Sequence, residues 1–333
     1  MKAVIPVAGF GTRLRPHTHT QPKALIPVAG KPILAHIVDA LEDAGFKEFV
    51  FIIGYLGEKI QDYMTESYPH LKCEFVVQTV REGIGHALWM AKDHLKGENE
   101  LLIALGDTIF DMDMKDFMRV PTSALGTKKV EDPRRFGVAE LDDSGFISRL
   151  VEKPAIPVSN LALVGIYKIK EVDALMEALQ YNITNDIRTK NEYQLTDALM
   201  RMIEKGTRFS SYSIENWFDC GKKDALLETN AILLKKPEFT SKAEHNFENT
   251  ILIPPVYIAD DCNIRNSILG PNVSIGAKVT IENSIIRETI IGPEAQIRHS
   301  VLHESLIGNE AVLNMLSQSL NLGDSAEITY GNE

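Results

Sequence analysis

The apolar positions of the chain divide it into two parts with different periods. Over residues 1–235, short apolar runs alternate with segments whose apolar residues recur at helical spacing. Residues 2–7 predict a buried strand that runs into a glycine-rich loop. From Pro32, a residue favoured where a helix begins, Ile33, Ile37, Ala40 and Leu41 keep one apolar stripe until Gly45 closes it. Residues 49–53, 74–78 and 101–105 predict three further strands, with helices over 58–63 and 85–95 between them, and Gly106-Asp107 stop the last. Residues 137–151 predict a hairpin turning on Asp142-Asp143-Ser144-Gly145, before a strand at 161–169 and helices at 172–179 and 195–204. Strands alternating with helices predict an α/β domain with a parallel sheet under helices.

From Ile258 onward the period changes. Ile258 to Leu269, Ile275 to Ile286 and Ile291 to Leu302 are copies of one pattern, and a fainter fourth copy starts at Ile307. Within each copy the aliphatics stand six apart, as in Ile258 and Ile264, and the copies recur every 16 or 17 residues. This period fits neither a helix nor a hairpin; it fits a left-handed parallel β-helix, with aliphatics pointing into a prism and Gly or Ala turning the corners. The pattern resembles the hexapeptide-repeat family. The predicted plan is a first domain over 1–235, a polar linker over 236–250 and a β-helix over 251–333.

Composition narrows the chemistry. With 44% hydrophobic and 24% charged residues the 333-residue chain is globular in type and long enough for two domains. A net charge of −11 argues against nucleic acid as a partner, since a duplex calls for clustered Lys and Arg. Cys73, Cys220 and Cys262 are too scattered for a disulfide framework or a zinc site. The apolar start at 1–7 is too short for a secretory signal, and no run approaches the ~18 apolar residues of a membrane span. A cytoplasmic protein with reduced thiols, and no membrane partner, is expected.

The segment Ala8-Gly9-Phe10-Gly11-Thr12-Arg13-Leu14-Arg15-Pro16, with Gln21-Pro22-Lys23 after it, carries the chemistry. Glycines directly after a strand let the backbone approach a ligand and point N–H groups at phosphate oxygens. Arg13 and Lys23 add the positive charge that a triphosphate demands. A dinucleotide fold wants a third glycine where Leu14 stands, and a P-loop wants Gly-Lys-Ser/Thr, which is absent.

Gly9-x-Gly11-Thr12-Arg13-Leu14-x-Pro16 with Pro22-Lys23 resembles the signature of the sugar-nucleotide pyrophosphorylases, the sugar-phosphate nucleotidyltransferases with a Rossmann-like catalytic domain. The resemblance continues in order along residues 1–235. It implies that Ala8, Gly9, Gly11, Thr12, Gln78 and Gly83 bind the nucleotide, and that Asp107 and the Asp219 of Trp217-x-Asp219-x-Gly221 hold Mg²⁺. Gly137, Glu152, Lys153 and Tyr167 fall in segments that resemble the sugar-phosphate site, and Lys190 stands where relatives place a phosphate-binding Arg.

The roles also follow from the reaction. The nucleophile, a phosphate oxygen of the sugar 1-phosphate, is already an anion, so no Ser, Cys or His has to activate it. Two polyanions must be forced together, which is a matter of position and charge neutralisation. Asp107 and Asp219 offer the hard oxygen ligands that Mg²⁺ takes. Arg13, Lys23, Asp107 and Asp219 are thus the catalytic candidates, Lys153 would hold the incoming phosphate, and Glu152 would accept from sugar hydroxyls.

Gln78 carries a donor and an acceptor suited to a pyrimidine edge, which points to dTTP or UTP. The stretch 159–167 and the tail 319–327 look like those of long glucose-1-phosphate thymidylyltransferases, so glucose 1-phosphate is the expected sugar and N-acetylglucosamine 1-phosphate the alternative. Two other readings stay open. The β-helix, with His299 and His303, could carry a second, acyl-transferring activity, or the chain could be a non-catalytic paralogue, which its intact charged residues oppose. The expected role of the β-helix is packing between subunits of a homo-oligomer.

Overall fold

The computed structural model describes residues 1–239 and 247–315, and the chain divides into two compact units, Met1–Thr229 and Asn230–Glu333. In the first, the strands Leu101–Ala104, Lys2–Pro6, Glu48–Ile53 and Lys72–Val77 lie side by side in that order, all parallel. Ala3, Val4 and Ile5 are fully buried, as a strand covered on both faces requires. The helix Ile33–Asp43, entered from Pro32, buries its stripe Ile33, Leu34, Ile37, Val38 and Leu41. The helix expected over 85–95 is two pieces, Ile84–Met90 and Lys92–Leu95.

Past Leu101–Ala104 the sheet is not parallel. Leu161–Ile169 runs antiparallel to it and pairs with Ser123–Lys129 and Gly137–Leu141, whose hairpin partner is Ile147–Glu152. Phe209–Ser213 adds to Ser123–Lys129 in parallel. These last two strands are weak in sequence because serines and threonines interrupt their apolar residues. Ser123 and Thr127 are fully buried; Ser123 Oγ donates to Glu171 at the start of the next helix, and Thr127 hydrogen-bonds Ser211 on the neighbouring strand. Only the tertiary fold gives those hydroxyls partners.

The second unit holds, among its described residues, three parallel sheets of four strands each, as a left-handed β-helix requires. Ile264 stands beside Ile281, Ile297 and Leu313 in one sheet, and Ile258 beside Ile275 in another; the prism they fill is a core of buried aliphatics. The serine of each copy also has a purpose. Ser267 Oγ accepts from the N–H of Ser284, and Ser284 Oγ from that of Ser300, both at 3.1 Å.

The expected corner chemistry is corrected. The residues that turn left-handed include Asn266, Asn283 and His299, with Asp261, Lys278 and Glu294 at another corner and Asn272, Glu288 and Glu304 at a third, at φ between 45° and 61°. Gly276 and Gly292 serve a different need: a Cβ on Gly276 would lie 2.6 Å from Pro293 N, and one on Gly292 2.7 Å from Asn309 N. The coils stack too closely there for a side chain. Among the described residues no helix is long and apolar enough to cross a membrane. The tail 319–327 lies outside the described residues.

Candidate active site

The loop after the first strand is closed locally. Gly11 sits at φ +60°, where its Cβ would meet Thr18 Cγ2 at 2.9 Å and Lys23 Cβ at 3.0 Å, and its carbonyl accepts from Thr18 Oγ1. That turn brings Lys23 back to the strand ends. Its Nζ lies 2.6 Å from Asp107 Oδ2. Two more glycines permit the approach: a Cβ on Gly54 would meet Ala8 O at 2.8 Å, and one on Gly106 would meet Val7 Cγ1 at 2.2 Å. Glycine at position 54 is thus set by contact with the loop, at the strand end where a dinucleotide fold would carry an acid.

Asp107 and Asp219 meet through a pair of strands that lacks a sequence signal, Thr108–Asp111 against Asn216–Asp219. Asp219 is in register with Thr108, and Cys220 N donates to Asp107 O at 3.1 Å. Arg13 joins them: a Cβ on Gly221 would be 2.8 Å from both Arg13 Nη2 and Asp219 Oδ1. Burial raises the pKa of Asp107, but the charge and hydrogen bond of Lys23, then Thr108 and Arg13, outweigh it and hold the carboxyl below its usual range. The carboxylate is 39% exposed, open to a ligand while it is ionised. Two carboxylates, hard oxygen donors, beside the cations Lys23 and Arg13 form a donor set that suits a divalent ion such as Mg²⁺.

Two cavities meet at Asp107. The smaller, about 280 Å³, is lined by Ala8, Gly9, Lys23, Gln78, Arg81 and Gly83. The larger, about 680 Å³, is lined by Arg13, Gly137, Glu152, Lys153, Tyr167, Lys190 and Asp219. Ile84, Leu105, Asp107 and Glu192 border both. Of the residues singled out from sequence, Gly11 and Thr12 line neither; Gly11 shapes the loop, and Thr12 opens the short 3₁₀ turn that carries Arg13.

In the larger cavity Glu152 accepts from Thr196 Oγ1 at 2.7 Å and pairs with Lys153 Nζ at 3.1 Å. Gly137 stands close enough that a Cβ would be 3.3 Å from Glu152 Oε2. Burial, then the charges of Glu152 and Asp107, raise the pKa of Tyr167, so the phenol keeps its proton. Lys153 and Lys190 have φ of +43° and +56°. Left-handed conformations are costly for residues with a Cβ and gather at sites where direction matters. Sequence reading missed Arg134 and Arg135, which add positive charge to this cavity, and Thr196. Two adjacent arginines before Phe136-Gly137 were the available signal.

In the smaller cavity Gln78 is buried, and its Nε2 donates to Gly83 O at 3.2 Å and lies 3.1 Å from His86 Nδ1. Gly83, at φ +102°, lets the Tyr193 backbone pack against this turn, because a Cβ would meet Tyr193 O at 2.6 Å. Arg81 was also missed. Its guanidinium lies 3.2 Å over the Phe10 ring, and among the described residues its Nε and Nη1 are buried with no hydrogen-bond partner.

A nucleotidyl transferase family model matches residues 2–236. A low-salt glycan biosynthesis nucleotidyltransferase Agl11 of Haloferax volcanii is 33% identical over 259 residues, covering 75% of this chain and 71% of the relative. A bifunctional protein GlmU of Methanocaldococcus jannaschii is 39% identical over 253 residues, 74% of this chain but only 58% of its own length. A glucose-1-phosphate thymidylyltransferase of Streptomyces griseus is 37% identical, over 72% of this chain and 67% of that protein. Among solved structures, a UDP-glucose pyrophosphorylase complexed with UDP-glucose matches with a TM-score of 0.61 at 25% identity, over 70% of this chain and 98% of the other.

Proposed function

The chain belongs to the nucleotidyl transferase family and is a sugar-1-phosphate nucleotidyltransferase; we propose that it moves a uridylyl or thymidylyl group from UTP or dTTP to glucose 1-phosphate, with Mg²⁺. The observation that carries this reading is the pair of cavities joined at Asp107, one ringed by the glycine loop and Gln78, the other by Glu152, Lys153 and Lys190. A triphosphate in the first and a sugar phosphate in the second would meet at the charged junction. There a sugar-phosphate oxygen attacks the α-phosphorus, a new P–O bond forms, and the bond to the β-phosphate oxygen breaks. Pyrophosphate leaves with that electron pair.

The chain's own residues position and neutralise. Lys23 and Arg13 hold the triphosphate and meet the charge that grows on pyrophosphate. Lys153, with Arg134, Arg135 and Lys190, draws in the sugar phosphate, and Glu152, held by Thr196, accepts from sugar hydroxyls. Asp107 and Asp219 would hold Mg²⁺, which when bound offsets the negative charge of the phosphates. Residues 1–235 suffice for this chemistry in our reading, in a cytoplasmic setting.

The test is a matrix of common nucleoside triphosphates against glucose 1-phosphate and N-acetylglucosamine 1-phosphate, scored by pyrophosphate. Release with UTP or dTTP and glucose 1-phosphate is expected, and silence in every pairing refutes the reading. Activity that survives Asp107→Ala unchanged refutes the metal assignment. N-acetylglucosamine 1-phosphate stays in view as the second sugar, and acyl transfer by the β-helix as a second reading, in keeping with relatives named bifunctional. Against acyl transfer, His299 stands at the left-handed corner held by Asn266 and Asn283 in earlier coils, a place that turn geometry alone explains. Free thiol released from acetyl-CoA with glucosamine 1-phosphate would establish it.

The β-helix also supports a homo-oligomer. Ile251, Ile268, Ile285 and Val301 are in register along one sheet and point outward, with Ile251, Ile285 and Val301 at 59%, 47% and 73% exposure. A ladder of aliphatics in water is the kind of strip that a second subunit covers. A monomeric mass by light scattering contradicts this.

A further inference from the structure

Gln78 is buried in the smaller cavity, and each of its amide atoms can be assigned. Gly83 O is a carbonyl and can only accept, so the amide atom 3.2 Å from it must be the NH₂. Turned over, the amide would set its own oxygen against Gly83 O with no proton between them. The second N–H then points at His86 Nδ1, 3.1 Å away. A nitrogen that faces an N–H must accept, so the His86 proton sits on Nε2, toward the Glu82 carboxylate at 3.6 Å. His86 is 9% exposed, and burial, the leading cause, lowers its pKa against the raising effects of Glu82 and of a backbone hydrogen bond to Val80, with Arg188 adding to the lowering; the neutral ring is favoured.

With both amide protons committed, Gln78 offers the cavity its Oε1, an acceptor. The donor-and-acceptor pairing expected from sequence is thereby reduced to one sense. We propose that His86 is a positioning residue for base selection: its Nδ1, together with Gly83 O, locks the Gln78 amide so that the site offers an acceptor to a ring N–H and turns away a ring nitrogen that itself accepts. Uracil and thymine carry a proton on N3; cytosine carries a lone pair there. The selection is thus of UTP or dTTP over the cytosine triphosphates, and it rests on the transferase reading above. If Nδ1 carried a proton or were removed, Gly83 O alone would oppose rotation of the amide, and the distinction would weaken.

The experiment measures kcat/KM for UTP and CTP in the full chain, His86→Leu and His86→Asn. Asparagine places an oxygen near the position of Nδ1; leucine places none. The expected result is a preference for UTP in the full chain that falls at least about tenfold in His86→Leu, through a gain or smaller loss with CTP, and returns in His86→Asn. A purely structural role would lower both substrates together and leave the ratio unchanged, which overturns the proposal. Nitrogen-15 NMR of the unaltered protein gives a check independent of folding in the variants: His86 should show Nδ1 as the unprotonated ring nitrogen, and a protonated Nδ1 overturns it. Absence of pyrophosphate with every triphosphate would instead overturn the transferase reading, with the tautomer still deciding the amide's orientation.

Discussion

Gly221→Ala probes the reacting centre through a single methyl group. Gly221 has no positive φ, so alanine fits its backbone. The new Cβ would lie 2.8 Å from Arg13 Nη2 and from Asp219 Oδ1, and 3.2 Å from Arg13 Cζ. Ordinary contact begins near 3.4 Å, so each group must retreat by 0.6 Å or more. Both atoms end flexible side chains, and stability should change by less than about 0.5–1 kcal/mol. The reaction is less tolerant, because a misplacement of about 1 Å in a charged group can cost roughly 10²-fold. Losing one charge-assisted contact, at about 1.5–3 kcal/mol, corresponds to roughly 10- to 150-fold in kcat/KM. The assay is pyrophosphate release with UTP and glucose 1-phosphate, alongside a thermal melt. Full kcat/KM in a folded Gly221→Ala enzyme would refute the placement of Arg13 and Asp219 at the reacting centre.

Three more outcomes are expected. Arg81→Ala should raise KM for the triphosphate by about tenfold, from lost charge-assisted donors, and leave KM for the sugar phosphate within about twofold; steady-state kinetics with each substrate varied checks both. Burial pushes the Cys220 thiol up to about 12 and Cys73 up to about 11, so at pH 8 at most about one Cys73 in a thousand is a thiolate; alkylating reagents should label either slowly in the native protein and fast in denaturant, as mass spectrometry will show. Burial also lowers the His36 pKa to about 4, so the unfolded chain takes up a proton that the folded chain refuses. Stability from this group is complete above about pH 6.5 and falls between about 6.5 and 4 by about 3 kcal/mol, and His36→Gln should flatten that limb in denaturation curves.

The sequence by itself determined the local elements and the kind of chemistry. A helix with a stripe at Ile33, Ile37 and Leu41, a strand apolar on both faces and a six-residue aliphatic step each follow from periods that the backbone imposes. The glycine loop was legible as a candidate phosphate cradle because glycines and cations in one short run have few other uses. What tertiary structure alone decided lies between distant segments. Asp107 and Asp219 stand 112 positions apart and meet through strands of four residues each, too short to show a period. Arg81 and His86 matter through Phe10 and Gln78, contacts that no spacing along the chain encodes. Glycine at 276 and 292 reflects the closeness of the next coil, where sequence suggested a corner. Local preference is written in neighbouring residues, whereas a contact between segments exists only once folding has brought both to the same place.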